Sequence, residues 1–259
     1  MPKKPFPITK ETASLEKELE KIKGPAKLKN DFISSLAHEL RNPLSTIKES
    51  LALVLEGAGG PVTLEQTTIL EAAKRGTERL IRLVSNMLDI SNIQSGKPRL
   101  HPEKVDIAPY IHNLIDQFQG AAKHKGVILN QHISQNVPTI WTDRDKLSQI
   151  MVNLVDNAIK FTPQGGFVTI QTKKSKTNLQ VNIIDTGIGI SQSNIKKIFI
   201  KYERFRMEQF EGTGLGLFIT KGLIEQLGGT IWVKSKVKEG TIFSFLIPIK
   251  AAQISVSNH

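Results

Sequence analysis

Between residues 36 and 55 the apolar positions fall three or four apart, at Leu36, Leu40, Leu44, Ile47, Leu51 and Leu55. That spacing draws one stripe down a helix, which the pattern carries from about Ala26 to Glu56 before Gly57 to Pro61 stop it. His38 stands off the stripe. At about 100° per residue it lies about 200° round from Leu36, in a polar file with Arg41, Asn42, Ser45 and Glu49. A core histidine would sit among the leucines, so the phase predicts an imidazole facing solvent. Pro43, five positions on, removes a helix hydrogen bond and is expected to bend the axis.

A second helix is predicted to begin after Thr63, with Gln66 three residues later completing a capping box. Leu70, Ala73, Thr77, Leu80, Val84 and Met87 then alternate steps of three and four to about Ile93. Two long helices joined by a short turn make an antiparallel hairpin. Extra apolar positions such as Ile81 and Leu88 cannot all be covered inside one hairpin, so dimerisation into a four-helix bundle is expected; the alternative is a monomeric hairpin packed on the rest of the chain. Upstream, residues 1 to 10 hold three prolines and read as disordered, and Thr12 to Lys23 as a short charged helix ending at Gly24-Pro25.

After Ser95-Gly96-Lys97-Pro98 the pattern changes. Helices are predicted near 107–125, 144–161, 191–199 and 215–227, and strands near 127–133, 139–141, 167–173, 179–184, 230–237 and 241–249. Strands and helices without strict alternation predict an α+β sandwich, helices covering one face of a mixed sheet. The expected units are a tail and short helix (1–25), a helical hairpin (26–95), a hinge (96–102), the α+β unit (103–250) and a C-terminal tail (251–259).

Composition narrows the chemistry. The chain has 259 residues, 39% of them hydrophobic and 23% charged, and no apolar run near the roughly 20 residues that span a bilayer. With no apolar secretory segment at MPKKPFPITK, a cytoplasmic chain without transmembrane segments is expected. Zero cysteines exclude disulfides and thiolate chemistry, and six scattered histidines give no metal-ligating spacing. The net charge of +11 is spread over separate lysine groups rather than one dense basic helix, which argues against a nucleic-acid partner.

The predicted helix DRDKLSQIMVNLVDNAIKF turns Leu147, Met151, Leu154, Val155 and Ala158 one way and Gln149, Asn153, Asn157 and Lys160 the other. Downstream, Asp185-Thr186-Gly187-Ile188-Gly189 takes a carboxylate from the end of an apolar strand into a glycine turn. Gly212-Thr213-Gly214-Leu215-Gly216-Leu217 then opens directly into an apolar helix, where free N–H groups and the helix terminus favour an anion. Each pattern alone is common; their order and separation are not.

Taken together, the chain resembles the cytoplasmic core of a sensor histidine kinase of two-component signalling over about Lys27 to Pro248. His38-Glu39-Leu40-Arg41-Asn42-Pro43-Leu44 resembles the phosphoacceptor box of that family, Asn153 to Phe161 its asparagine box, and Asp185 to Gly189 and Gly212 to Gly216 its two glycine boxes. The resemblance implies a dimeric helical-hairpin bundle, 26–95, for dimerisation and histidine phosphotransfer, then a Bergerat-type ATP-binding α/β sandwich. It implies ATP and Mg²⁺ as cofactors and the receiver domain of a response regulator as partner. Asp185 would accept a hydrogen bond from the adenine amino group, with Gly187 and Gly189 shaping its turn; Asn157 would hold Mg²⁺, and Lys160 would offset phosphate charge. Gly212, Thr213, Gly214, Leu215 and Gly216 would cradle phosphates in a lid.

By the same resemblance His38 would take the γ-phosphoryl group, Glu39 would be its base, and Asn42 would orient a water for dephosphorylating the regulator. Asn153 occupies the position where ATP-hydrolysing relatives carry a glutamate base, and an amide cannot accept that proton, so hydrolysis should be slow. The chain departs from the family in its aromatic box, Phe199-Ile200-Lys201-Tyr202 in place of Phe-x-x-Phe. Arg204 falls where a phosphate-facing arginine is expected, and Phe205 to Glu211 make a short lid. A degenerate dimeric scaffold and a gyrase-like ATPase are the competing readings.

Overall fold

The computed structural model describes residues 33, 35–37, 39–94, 100–201 and 214–250. The chain divides into two compact units, Met1–Lys97 and Pro98–His259.

In the first unit a helix, α1, covers the described residues from 33 to 55, and a turn follows at 56–59. Gly57 takes φ +87° and Gly60 φ +104° there, a left-handed backbone that glycine adopts without a Cβ penalty. The second helix, α2 (Leu64–Gln94), starts as the sequence predicts. Thr63 Oγ1 accepts from the Gln66 amide at 3.2 Å, and Gln66 Oε1 accepts from the Thr63 amide at 2.9 Å, a closed capping box. Arg41 Nη2 donates to Ser85 Oγ at 3.2 Å and Lys48 pairs with Glu78 at 4.0 Å, so descending α1 ascends α2. The hairpin is antiparallel. It buries Ala37, Leu88 and Ile90 but leaves Ile47 48%, Ile69 63% and Leu80 50% exposed.

The second unit runs β1 (Pro102–Asp106), α3 (Ile107–Lys125), β2 (Ile128–His132), β3 (Thr139–Asp143), α4 (Arg144–Phe161), β4 (Phe167–Lys174), β5 (Asn178–Asp185), α5 (Gln192–Ile195), α6 (Gly216–Gln226), β6 (Thr230–Lys236) and β7 (Gly240–Pro248). Five strands form one mixed sheet in the order β2-β4-β5-β7-β6, with β2 and β4 parallel and the other neighbours antiparallel. Val168 and Ile170 of β4, Val181 and Ile183 of β5, and Phe243 and Phe245 of β7 are buried at alternating positions. Apolar residues of α3, α4 and α6, among them Ile111, Leu114, Leu147, Leu154, Ile219 and Leu223, complete that core. The mixed sheet with helices on one face agrees with the expected α+β sandwich.

Two elements differ from the sequence reading. Strand β1 was not expected, and Pro102, counted as the last linker residue, begins it; β1 pairs with β3 in a separate two-stranded sheet, Pro102 facing Asp143. The helix expected over 191–199 is only the four residues of α5, closed afterwards by turns such as Lys197 N–H to Asn194 O at 2.8 Å. Asp143 links the small sheet to α4. Its Oδ1 accepts from the Lys146 amide at 3.0 Å as the N-cap of α4, and its Oδ2 accepts from the His101 amide at 2.9 Å.

Candidate functional site

Strand β5 delivers Asp185 to the end of the sheet, where it is 6% exposed. Its Oδ1 accepts from the Gly187 amide at 2.8 Å and from the Thr241 amide at 3.1 Å. Among the described residues both hydrogen bonds fall on one oxygen, so Oδ2 could accept from a ligand. Burial pushes the carboxyl up to about 6, against the pull of those two N–H donors, which favour the charged form.

Glycine is required around it. A Cβ on Gly187 would lie 2.6 Å from Phe161 O and 2.7 Å from Asp185 Oδ1, and one on Gly189, at φ +69°, would lie 2.0 Å from Lys236 O. The turn is also tied down on both sides, by Ile188 N–H to Phe161 O at 3.2 Å and Lys238 N–H to Ile188 O at 2.8 Å. The carboxylate therefore sits in a preorganised turn beside the end of α4.

That helix supplies the polar file. Asn153, Asn157 and Lys160 are all half-buried. Asn153 Nδ2 donates to Thr220 Oγ1 of α6 at 2.7 Å, and Asn157 Nδ2 donates to Asn153 Oδ1 at 3.5 Å. Gly216, the first residue of α6, fits only because it lacks a side chain: a Cβ there would lie 2.5 Å from Asn153 Oδ1. Gly214 takes φ +69° and Leu215 is buried, bringing the end of the glycine run against α4. At the C-terminal end of α4, Lys125 Nζ donates to Ile159 O at 2.6 Å and also to Lys160 O, carbonyls of the last turn at the negative end of the helix dipole. Burial lowers the Lys125 pKa, and the Lys160 ammonium adds to that shift. The two ammonium groups thus lie near each other at the C-terminal end of α4.

The structure brings Asn153, Asn157 and Gly216 together, and Asp185 with Gly187 and Gly189 at the carbonyl of Phe161, one turn beyond Asn157. On α1, Glu39 and Asn42 are exposed. His38, Tyr202, Arg204, Gly212 and Thr213 lie outside the described residues. Sequence reasoning missed Thr220, Thr241 and Lys125. Thr241 gives its amide to Asp185 because the two face each other in the β5–β7 register, which no local pattern encodes. Thr220 reads as one polar residue in an apolar helix.

A buried carboxylate with one committed oxygen suits the amino edge of a base. A Cβ would lie 2.7 Å from Asp185 Oδ1 at Gly187 and 2.5 Å from Asn153 Oδ1 at Gly216, so neither polar end tolerates a side chain beside it. Among the described residues no three His, Cys, Asp or Glu side chains gather to hold a metal on their own. The amide oxygen of Asn157 is a hard ligand that fits magnesium only in company with water and ligand oxygens, as on a phosphate chain.

Comparison with known proteins points the same way. Residues 28–96 match the family described as His Kinase A (phospho-acceptor) domain, and residues 142–251 the family described as Histidine kinase-, DNA gyrase B-, and HSP90-like ATPase. The chain is similar to the sensor histidine kinase WalK of Bacillus subtilis, 31% identical across 87% of this chain and 37% of WalK. It is also similar to the adaptive-response sensory kinase SasA of Crocosphaera subtropica, 30% identical across 93% of this chain and 65% of SasA. Among solved structures, full-length ShkA in complex with AMPPNP superposes with a TM-score of 0.70 at 27% identity, covering 86% of this chain and 46% of ShkA. The nucleotide-free catalytic domain of the histidine kinase ThkA gives 0.53 at 26% identity, covering 58% of this chain and 97% of that domain. The chain spans about a third of the length of the first curated relatives it matches, as the 37% of WalK illustrates. No described helix is long and apolar enough to cross a membrane.

Proposed function

Because this chain belongs to the sensor histidine kinases through both of its domains, we propose that it uses ATP to phosphorylate its own His38 and passes the phosphoryl group to an aspartate of a response regulator. The observation that carries the nucleotide half is Asp185, a buried carboxylate with Oδ1 committed to two backbone amides, in a turn where Gly187 admits no Cβ. Oδ2 accepts the adenine amino group, and a guanine carbonyl in that place would meet a second acceptor. Asn157 and Lys160 would face the phosphates, and by the family resemblance Gly212, Thr213, Gly214, Leu215 and Gly216, with Tyr202 and Arg204, would serve phosphate binding. The Asn157 oxygen would hold Mg²⁺, which would offset phosphate charge.

In the phosphotransfer step an imidazole nitrogen of His38 gives its lone pair to the γ-phosphorus while the bond from that phosphorus to the β,γ-bridging oxygen breaks and ADP leaves. The proton on the other ring nitrogen passes to Glu39. The hairpin and the α+β unit must dock for this, with the linker that precedes Pro102 as hinge. Asn42 orients a water for removing the phosphoryl group from the regulator. The exposed Ile47, Ile69 and Leu80 support a homodimer through the hairpin. A hydrolase reading is disfavoured because Asn153 is an amide already bonded to Thr220.

The test is incubation with radiolabelled Mg-ATP. Wild-type protein gains acid-labile, base-stable phosphate and His38→Gln gains none; label surviving that substitution overturns the assignment of His38.

A further inference from the structure

Asn153 matches a position read as facing nucleotide, yet its side chain is engaged within the protein. Thr220, Asn153 and Asn157 form a line of side chains: Thr220 Oγ1 accepts from Asn153 Nδ2 at 2.7 Å, and Asn153 Oδ1 accepts from Asn157 Nδ2 at 3.5 Å. Thr220 is 1% exposed, so water does not compete for its hydroxyl. The first bond is short and part-buried and is the anchor; the second is long and directs orientation more than it contributes energy.

A carboxamide has a donor end and an acceptor end, and using one sets the other. With Asn153 Nδ2 on Thr220, its Oδ1 faces α4. With Asn157 Nδ2 turned to that oxygen, Asn157 Oδ1 is the end left for a ligand. Magnesium binds oxygen and is repelled by an N–H, so a flipped Asn157 would present the wrong end. Gly216 leaves room for this arrangement, since a Cβ there would lie 2.5 Å from Asn153 Oδ1, so the first turn of α6 is fitted to the line.

We propose that Thr220 is a positioning residue for the magnesium nucleotide, acting through Asn153 to hold the Asn157 amide with its oxygen toward the cation. The proposal rests on the ATP-binding reading above. It predicts that Thr220 governs the metal dependence of nucleotide affinity rather than nucleotide affinity itself. Thr220→Val keeps the shape of the side chain and removes the acceptor; Thr220→Ser keeps the acceptor.

The experiment titrates the full chain with the non-hydrolysable analogue AMPPNP by calorimetry, over a range of Mg²⁺ and in excess EDTA. Thr220→Val should raise the Mg²⁺ concentration for half-maximal binding by about tenfold while the affinity in EDTA moves by less than about twofold, and Thr220→Ser should restore the metal dependence. Asn153→Ala, which removes both bonds, should reproduce the metal shift and serves if Thr220→Val fails to fold. Unchanged metal dependence in either variant overturns the proposal. So does a parallel loss of affinity with and without Mg²⁺ alongside a lowered melting temperature, the mark of a merely structural role. Wild-type protein that binds AMPPNP under neither condition overturns the ATP-binding reading itself, a result separable from the other two.

Discussion

Asp185 carries a charge that its surroundings disfavour. Burial has moved its pKa from 3.8 to about 6, so the folded state holds a proton more readily than the unfolded chain. The stability contributed by that proton is fully present below pH 3.8 and is lost as pH rises through about 6. At neutral pH the ionised carboxylate therefore costs stability. Asp185→Asn keeps an oxygen for the Gly187 and Thr241 amides and removes the charge, so chemical denaturation at pH 7.5 should show it about 1–3 kcal/mol more stable than wild type, the difference fading as pH falls from 6 toward 4. The same variant should lose ATP binding, because an amide NH₂ at the Oδ2 position meets the adenine NH₂ as donor to donor. In wild-type protein ATP affinity should fall below about pH 6 as the acceptor is protonated. A variant that is less stable at pH 7.5, or a flat affinity profile between pH 5 and 7.5, would contradict this account.

At the scale of elements, the prediction concerns the turn between β6 and β7. Gly240 adopts φ +113°, and a Cβ there would lie 2.0 Å from the backbone oxygen of Asp185. Since β5 and β7 are register partners at Asp185 and Thr241, neither strand can retreat without breaking the ladder. Gly240→Ala should destabilise the second unit by more than about 2 kcal/mol and depress nucleotide affinity with it, measured by denaturation of residues 98–259 and by titration with ADP. The residues that make this turn critical were not all legible in the sequence. Helices α3 and α4 were readable to their ends because amphipathic period and local punctuation lie within one segment, as did the Thr63 and Gln66 capping box. Strand β1 was not, because PEKVD gains its strand character only by pairing with β3, whose Asp143 lies far along the chain from Pro102. The site divides the same way. Asp185, Asn157 and the glycines announce themselves by residue type and position, whereas Thr241 and Thr220 act through partners brought by the fold.

For the whole molecule the question is what covers the hairpin. One chain leaves Ile47, Ile69 and Leu80 about half exposed or more on two helices whose heptad-like seam would bury them in a bundle. A second copy is the partner that fits, since the same seam is then presented by both chains and the contact closes under two-fold symmetry. Replacing Ile47 and Leu80 together by Glu puts like charges into that contact, and each buried carboxylate would lack a partner. The doubly substituted chain should sediment as a monomer at micromolar concentration where wild type sediments as a dimer. Its ATP affinity should stay within about twofold, because the residues assigned to nucleotide belong to a separate compact unit, 98–259. Autophosphorylation then reads out the direction of transfer. If His38 of one chain receives phosphate from ATP on the other, labelling collapses with the dimer; if it receives phosphate from its own chain, labelling survives at a rate independent of protein concentration. A wild-type chain that sediments as a monomer would remove the bundle, and with it the reason for so apolar a surface on α1 and α2.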